Sequence, residues 1–164
     1  MTTLERPHLR EAEEALAGLP DAESRLAVIR EAFDWLGTPY HHLARVKGAG
    51  VDCAQILLAV FDAAGVVKGA EAPTAYPFDW HLHRNAEWFL ETVERYCRKV
   101  EHPAPGDLAL FKYGRCISHG SIVVKWPIII HPHLRHGVVL DDAAVNQELA
   151  RRLSGFWSPW GVSA

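Results

Sequence analysis

At 164 residues, with 49% hydrophobic and 23% charged residues, the chain is long enough to bury a core and is neither disordered nor fibrous in type. Its formal net charge is −3, and its Lys and Arg residues are scattered rather than striped, which leaves no electrostatic footprint for nucleic acid. No apolar run reaches the length of a bilayer span, and the first residues lack a basic stretch followed by an apolar one, so the expectation is synthesis in the cytoplasm and no membrane partner.

Residues from about Arg10 to Leu19 read as a helix stopped by "GLPD". In "DAESRLAVIREAFDWLG", Leu26, Ile29, Ala32, Phe33 and Leu36 follow helical spacing, and Gly37 is placed to end the helix as its C′ residue. "TPYHH" and "RVKGAGV" read as an irregular connection. The third helix is carried by "GVDCAQILLAVFDAAG", where Cys53, Ile56, Leu57, Val60 and Ala64 share one face. Asp52 is a good N-cap for it, and Gln55 stands three residues on, close to a capping box. "HRNAEWFLETVERY" reads as a fourth helix after a loop.

The period then changes. "RKVEH", "GDLALFKY", "HGSIVVKW", "IIIHPH" and "GVVLDD" are short, β-branched or aromatic, and separated by turn residues. "NQELARRLSG" reads as a late helix, and the tryptophans of "GFWSPWG" as a packing latch against the sheet. Helices first and a strand meander second give an α+β fold with an antiparallel sheet of about five strands. There is no repeat, low-complexity tract or long linker, so residues 1–164 are expected to form a single domain.

The cysteines, Cys53, Cys97 and Cys116, are three in number and widely spaced, which argues against a disulfide framework. Cys53 occupies the first helical position, at the edge of the inward face. One reading is packing, because a free Cys is a small hydrophobe. The other is a nucleophile, because a helix N-terminus lowers a thiol pKa and its free N–H groups can hold an oxyanion. The Asp52 carboxylate opposes that lowering unless it turns into the cap, and a protonated His partner would outweigh it. A base is expected from the sheet: a hairpin near "KWPI" brings His119, at the start of one strand, beside His131, at the end of the next. His131 then orients the His119 ring, with His133 as a rival on the same strand face and Pro132 withdrawing a ladder donor between them. Cys116 and His119 with His131 and His133 can also be drawn as a zinc site, but that leaves Cys53 unused and has neither HExxH nor CxxC, so no metal is expected. Cys97 reads as structural, and Cys116 as lying near the mouth of the site. His41, His42, His102 and His136 read as solvated surface, as do His81 and His83 unless, beside Trp80, they touch a substrate.

The ordered set "GTPY…GVDCAQ", "PGDLALF", "SHGSIVV" and "IIIH…GVV", over roughly Leu26 to Leu140, resembles the NlpC/P60 family of cysteine peptidases, and most of all its phage-associated and cell-wall members. The resemblance implies a papain-like core, no cofactor, and hydrolysis of amide bonds in peptidoglycan stem peptides. It implies Cys53 as nucleophile, His119 as base and His131 as the third, polar residue of the triad. Tyr40 matches a tyrosine that lines the site and helps the oxyanion; Asp52 matches an acidic residue that in some relatives recognises a free amino terminus. The Ser and Gly that usually follow the nucleophile are Ala54 and Gln55 here. The alternative reading is a phage or prophage tail component, partnered by other tail proteins, whose hydrolase activity is secondary or lost.

Overall fold

Val28, Ile29, Ala32 and Phe33 recur at helical spacing, and all four are buried on one helix. The structure, a computed structural model describing residues 2–73, 75–79 and 87–162, opens with helices α1 (Arg6–Leu16) and α2 (Ala22–Asp34). α1 begins earlier than the apolar pattern alone indicates, because Pro7 fits the first turn, where no N–H is required. α2 ends at its cap Trp35, so Gly37 is not its C′ residue; it turns the chain at φ +85 and donates its N–H to the Val138 carbonyl. The connection read as irregular contains a small hairpin, β1 (Arg45–Val46) and β2 (Gly50–Val51). It leads directly into α3 (Cys53–Ala63).

α4 (Trp88–Tyr96) buries Phe89 and Val93. The first part of "HRNAEWFLETVERY", together with Trp80, His81 and His83, lies outside the described residues. The sheet follows: β3 (Arg98–Val100), β4 (Leu108–Tyr113), β5 (Cys116–Lys125), β6 (Ile128–His133), β7 (Gly137–Asp142) and β8 (Leu153–Ser158), with the one-turn helix α5 (Gln147–Ala150) before the last strand. The strand order is β3-β8-β4-β5-β6-β7, and every pair is antiparallel. The meander is present from β4 to β7. The sheet has a sixth strand because "LSGFWS" enters it between β3 and β4 instead of continuing the late helix or lying against the sheet as a latch. Trp157 of β8, 2% exposed, is part of the sheet's core.

The sheet buries both faces. One carries Leu108, Leu110, Ile122, Val124, Ile130 and Val138 into the main core with α2 and α3. The other carries Ala109, Phe111, Val123 and Ile129 against Leu149 of α5. Strands covered on both sides read as near-continuous apolar runs, which is how "SIVV" and "III" read. No helix among the described residues is long and apolar enough to cross a membrane.

A charged clamp ties α2 to the sheet. Arg25 donates to Asp107 Oδ1 at 2.8 Å and to the Pro105 carbonyl at 3.1 Å, pairs with Asp21 at 2.9 Å, and lies 4.1 Å from the centre of a Trp160 ring. The Arg25 and Asp107 side chains are 7% and 3% exposed, so removing one partner strands the other charge in low dielectric. Arg25→Ala is expected to lower unfolding free energy by about 3–5 kcal/mol. Urea denaturation measures this, and a loss below ~1 kcal/mol would show that water reaches the clamp.

Candidate active site

The N-terminus of α3 is positioned by backbone ladders on both sides. Val51 pairs with Arg45 in β1, and its N–H and carbonyl also bond Pro39 and His41. Tyr40 and Val51 therefore form a parallel bridge, which sets Tyr40 close to Asp52 and Cys53. Gly37 and Thr38 bond Val138 on β7, so the Tyr40 segment is fixed to the edge of the main sheet as well.

Asp52 is extended (φ −107, ψ 178) and caps α3. Its Oδ1 accepts from the Gln55 N–H at 2.9 Å; its Oδ2 accepts from the Leu43 N–H at 2.8 Å and the Tyr76 hydroxyl at 2.7 Å. The Gln55 side chain does not complete the capping box; its Oε1 accepts from Arg45 Nε at 2.8 Å instead. Asp52 is fully buried, and three protein donors occupy its carboxylate.

His119 is the fourth residue of β5, not its first, and His131 lies within β6 rather than at its end. The β5–β6 ladder runs from Lys125↔Ile128 to Ile122↔Ile130 and stops there. The two imidazoles bridge the gap beyond it, with His119 Nε2 2.9 Å from His131 Nδ1. Pro132 does not disturb the strand. Its partner on β7 is Val138, whose N–H and carbonyl both point away to Thr38 and Gly37, so Pro132↔Val138 is a non-hydrogen-bonded pair that needs no donor. The His133 ring accepts from the Arg135 and His136 N–H groups at 3.1 and 3.3 Å; it caps the β6–β7 turn, and the ring against His119 is that of His131.

Cys53, His119, His131, Tyr40 and Asp52 all line one open cleft. Its wall is aromatic, with Tyr76, Phe78, Trp88 and Tyr113, and its rim carries Asp79 and Glu148. The Cys53 thiol donates to the Ser118 carbonyl at 3.3 Å, one residue before His119, so the sulfur rests on the backbone of β5 rather than on the imidazole. Cys116 does not lie at the mouth; it is completely buried in the main core. Among the described residues, no three His, Cys, Asp or Glu side chains are grouped to hold a metal ion.

Sequence reasoning missed three neighbours. Tyr76 holds Asp52. Asp141 Oδ2 lies 3.0 Å from His131 Nε2, and Asn146 Nδ2 donates to that same oxygen at 2.9 Å. The paired Asp residues ending "GVVLDD" were the available signal, because a polar residue late in a strand adjoining a His-bearing strand has a cross-strand imidazole to meet.

The electrostatics differ from the expectation of a lowered thiol pKa. Burial pushes the Cys53 thiol up to about 12 and the Asp52 charge adds to that, while the N–H groups of Ala54 and Cys53 pull the other way. Burial, then the neighbouring His131 and His133, hold His119 well below the usual imidazole range. Tyr40 is raised by burial and by the charges of Cys53 and Asp52, so its hydroxyl stays protonated as a donor. Both shifts favour a neutral thiol beside a neutral imidazole.

Since the raised group is an acid, thiolate forms only as pH climbs toward the shifted pKa. Iodoacetamide labelling of Cys53 is therefore expected to accelerate above pH ~8.5, the ordinary thiol value. Peptide mapping across pH checks this, and a rate already on its plateau at pH 5 would reveal a thiolate–imidazolium pair.

No protein-family profile and no curated protein matches the sequence. Solved structures do match. An NLP/P60-family protein described as similar to lipoprotein, from Staphylococcus aureus subsp. aureus Mu50, superposes with TM-score 0.59 at 17% identity, covering 82% of this chain and 41% of its own. The NlpC/p60 domain of the peptidoglycan hydrolase SagA gives 0.53 at 20% identity, covering 85% and 98%. An NlpC/P60-family protein from Bacillus cereus ATCC 10987 gives 0.58 at 17%, covering 80% and 39%. This chain thus spans about two fifths of the first and third proteins and nearly all of the SagA domain. N-terminal helices against this antiparallel sheet, with these neighbours, give the chain the NlpC/P60 fold.

Proposed function

We propose that this chain is a cysteine peptidase of the NlpC/P60 kind, hydrolysing amide bonds in peptidoglycan stem peptides. The observation that carries the reading is the convergence of a helix-N-terminal thiol, the His119–His131 pair and Tyr40 on one cleft. The likeness to a domain of a protein named as a peptidoglycan hydrolase supports the choice of substrate.

The chemistry starts from neutral partners. The Cys53 thiol turns from the Ser118 carbonyl toward His119 and gives up its proton as sulfur attacks the scissile carbonyl. The resulting oxyanion is met by the Cys53 N–H at the first turn of α3 and by the Tyr40 hydroxyl. His119, now protonated, delivers its proton to the leaving amine, and a thioester remains on Cys53. A water then loses a proton to His119 and attacks the thioester; the carboxylic acid departs and the proton returns to sulfur. His131 holds the His119 ring throughout. A neutral base suits this sequence, because its lone pair is available before the thiol ionises.

Incubation of the purified chain with peptidoglycan fragments, read by mass spectrometry, tests the reading. Wild type is expected to release a peptide fragment, Cys53→Ala none, and His119→Ala about 10²–10⁴-fold less, with melting temperatures unchanged. An equal release by wild type and Cys53→Ala, or none by wild type, rejects it.

A further inference from the structure

The hydrogen-bond chain behind His119 does not end at His131; it continues to Asp141 at 3.0 Å and from there to Asn146 at 2.9 Å. We propose that Asp141 and Asn146 are positioning residues that fix the tautomers of His131 and His119, leaving Nδ1 of His119 as the nitrogen that takes the thiol proton. This rests on the peptidase reading for its activity measurement alone.

The polarity is set from the far end, by a helix cap. Asn146 caps α5, and its Oδ1 accepts from the Glu148 and Leu149 N–H groups at 3.1 and 3.4 Å. An amide whose oxygen is committed to backbone donors can present only its NH₂ elsewhere. Asn146 Nδ2 therefore donates, and Asp141 Oδ2 accepts, at 2.9 Å. Asp141 Oδ1 accepts from the Asp142 N–H at 2.8 Å. Both oxygens are thus acceptors, and the carboxyl is held below its ordinary range by its bonds to His131, Asn146 and Asp142, against an opposing effect of burial.

A carboxylate has no proton to give, so the 3.0 Å contact requires His131 to donate from Nε2. In the neutral ring, Nδ1 of His131 is then a bare acceptor. The 2.9 Å contact across the strands requires His119 to donate from Nε2, which leaves its Nδ1 bare. Without Asp141 the ring of His131 loses the acceptor that holds the proton on Nε2, and a proton on His131 Nδ1 would force His119 to present its lone pair to His131 instead of to the thiol. His131 faces His119 from β5, Asp141 from β7 and His133 along its own strand, with Glu148 of α5 and Tyr113 of β4 lining the same cleft or carrying charge nearby. Asp141 is the only one of these bonded to His131 Nε2.

The full chain labelled with ¹⁵N-histidine and recorded at pH 8 by long-range ¹H–¹⁵N correlation is expected to show the Nε2–H tautomer at both His119 and His131. In Asp141→Ala, His131 is expected to become a tautomer mixture, and kcat on peptidoglycan fragments to fall about 10–100-fold, as for other partners that orient a functional imidazole, with KM little changed. Asn146→Ser keeps an oxygen for the cap but removes the amide Nδ2 that reaches Asp141, so it is expected to move the His131 resonances in the same direction by less. An Nδ1–H tautomer at His131 in wild type overturns the proposal, and so do Asp141→Ala spectra in which His131 is unmoved. If Asp141→Ala does not fold, the wild-type and Asn146→Ser spectra decide. A wild type without peptidase activity would reject the peptidase reading, while the spectra would still decide this one.

Discussion

The candidate site exists only while three neighbouring strands keep their register. His119 faces Phe111 across the β4–β5 ladder, Ile129 faces Asp141 across β6–β7, and His131 is two residues on from Ile129. The two rings and the carboxylate thus share a sheet face. A slip of one residue would turn His131 toward the core positions of Ile130 and Val138. Apolar alternation alone does not prevent that slip, because Ile129 and Ile130 are buried on opposite faces and either would accept the other's place. What separates the registers is polar: the slipped arrangement buries an imidazole without a partner, costing about 1–3 kcal/mol, and takes from Asp141 its bond to His131. The residues assigned to chemistry also select the sheet's pairing.

Asp52 shows the same double duty at the other wall of the cleft, with a cost attached. Its three accepted hydrogen bonds make a firm start for α3 and hold the Leu43 and Tyr76 segments around the thiol. The buried negative charge beside the sulfur works against the helix N-terminus that it caps. The dipole of a helix end contributes about 0.3–1 kcal/mol in ordinary settings, whereas burial alone can move a group by several pKa units. That ordering favours a neutral thiol: the position of the sulfur is fixed at the expense of its ionisation, and in the proposed reaction the rest falls to His119.

The arrangement of helices and strands was legible in the sequence because period and turn residues changed together near Arg98. The thiol at the start of α3 and the approach of His119 and His131 were legible too, since Asp52 announced the cap and "KWPI" the hairpin. β8 was not, because "NQELARRLSG" reads as a helix and "GFWSPWG" as a latch, and only the pairing of Trp157 with Leu108 and of Phe156 with Ala109 and Val100 makes it a strand. Arg25 was hidden for a related reason: a charged residue in an amphipathic helix reads as surface until the Asp107 that neutralises it is brought from 82 residues away. The neutral state of the thiol was illegible as well, because desolvation is a property of everything packed around an atom and not of its neighbours in the chain.

Two helix caps thus bracket the polar path. Asp52 caps α3 and places the sulfur; Asn146 caps α5 and holds the carboxylate behind His131. In each case a side chain satisfies backbone N–H groups that would otherwise go unpaired, and that obligation removes its freedom to rotate. A surface carboxylate offered to His131 by a mobile side chain would supply the same charge without a fixed direction. Anchoring it through a cap converts the local rule that helix ends need acceptors into a direction for hydrogen bonds running two strands away. The sheet register brings the rings together, and the Asn146 cap, acting through Asp141, sets which nitrogen of each ring is left bare.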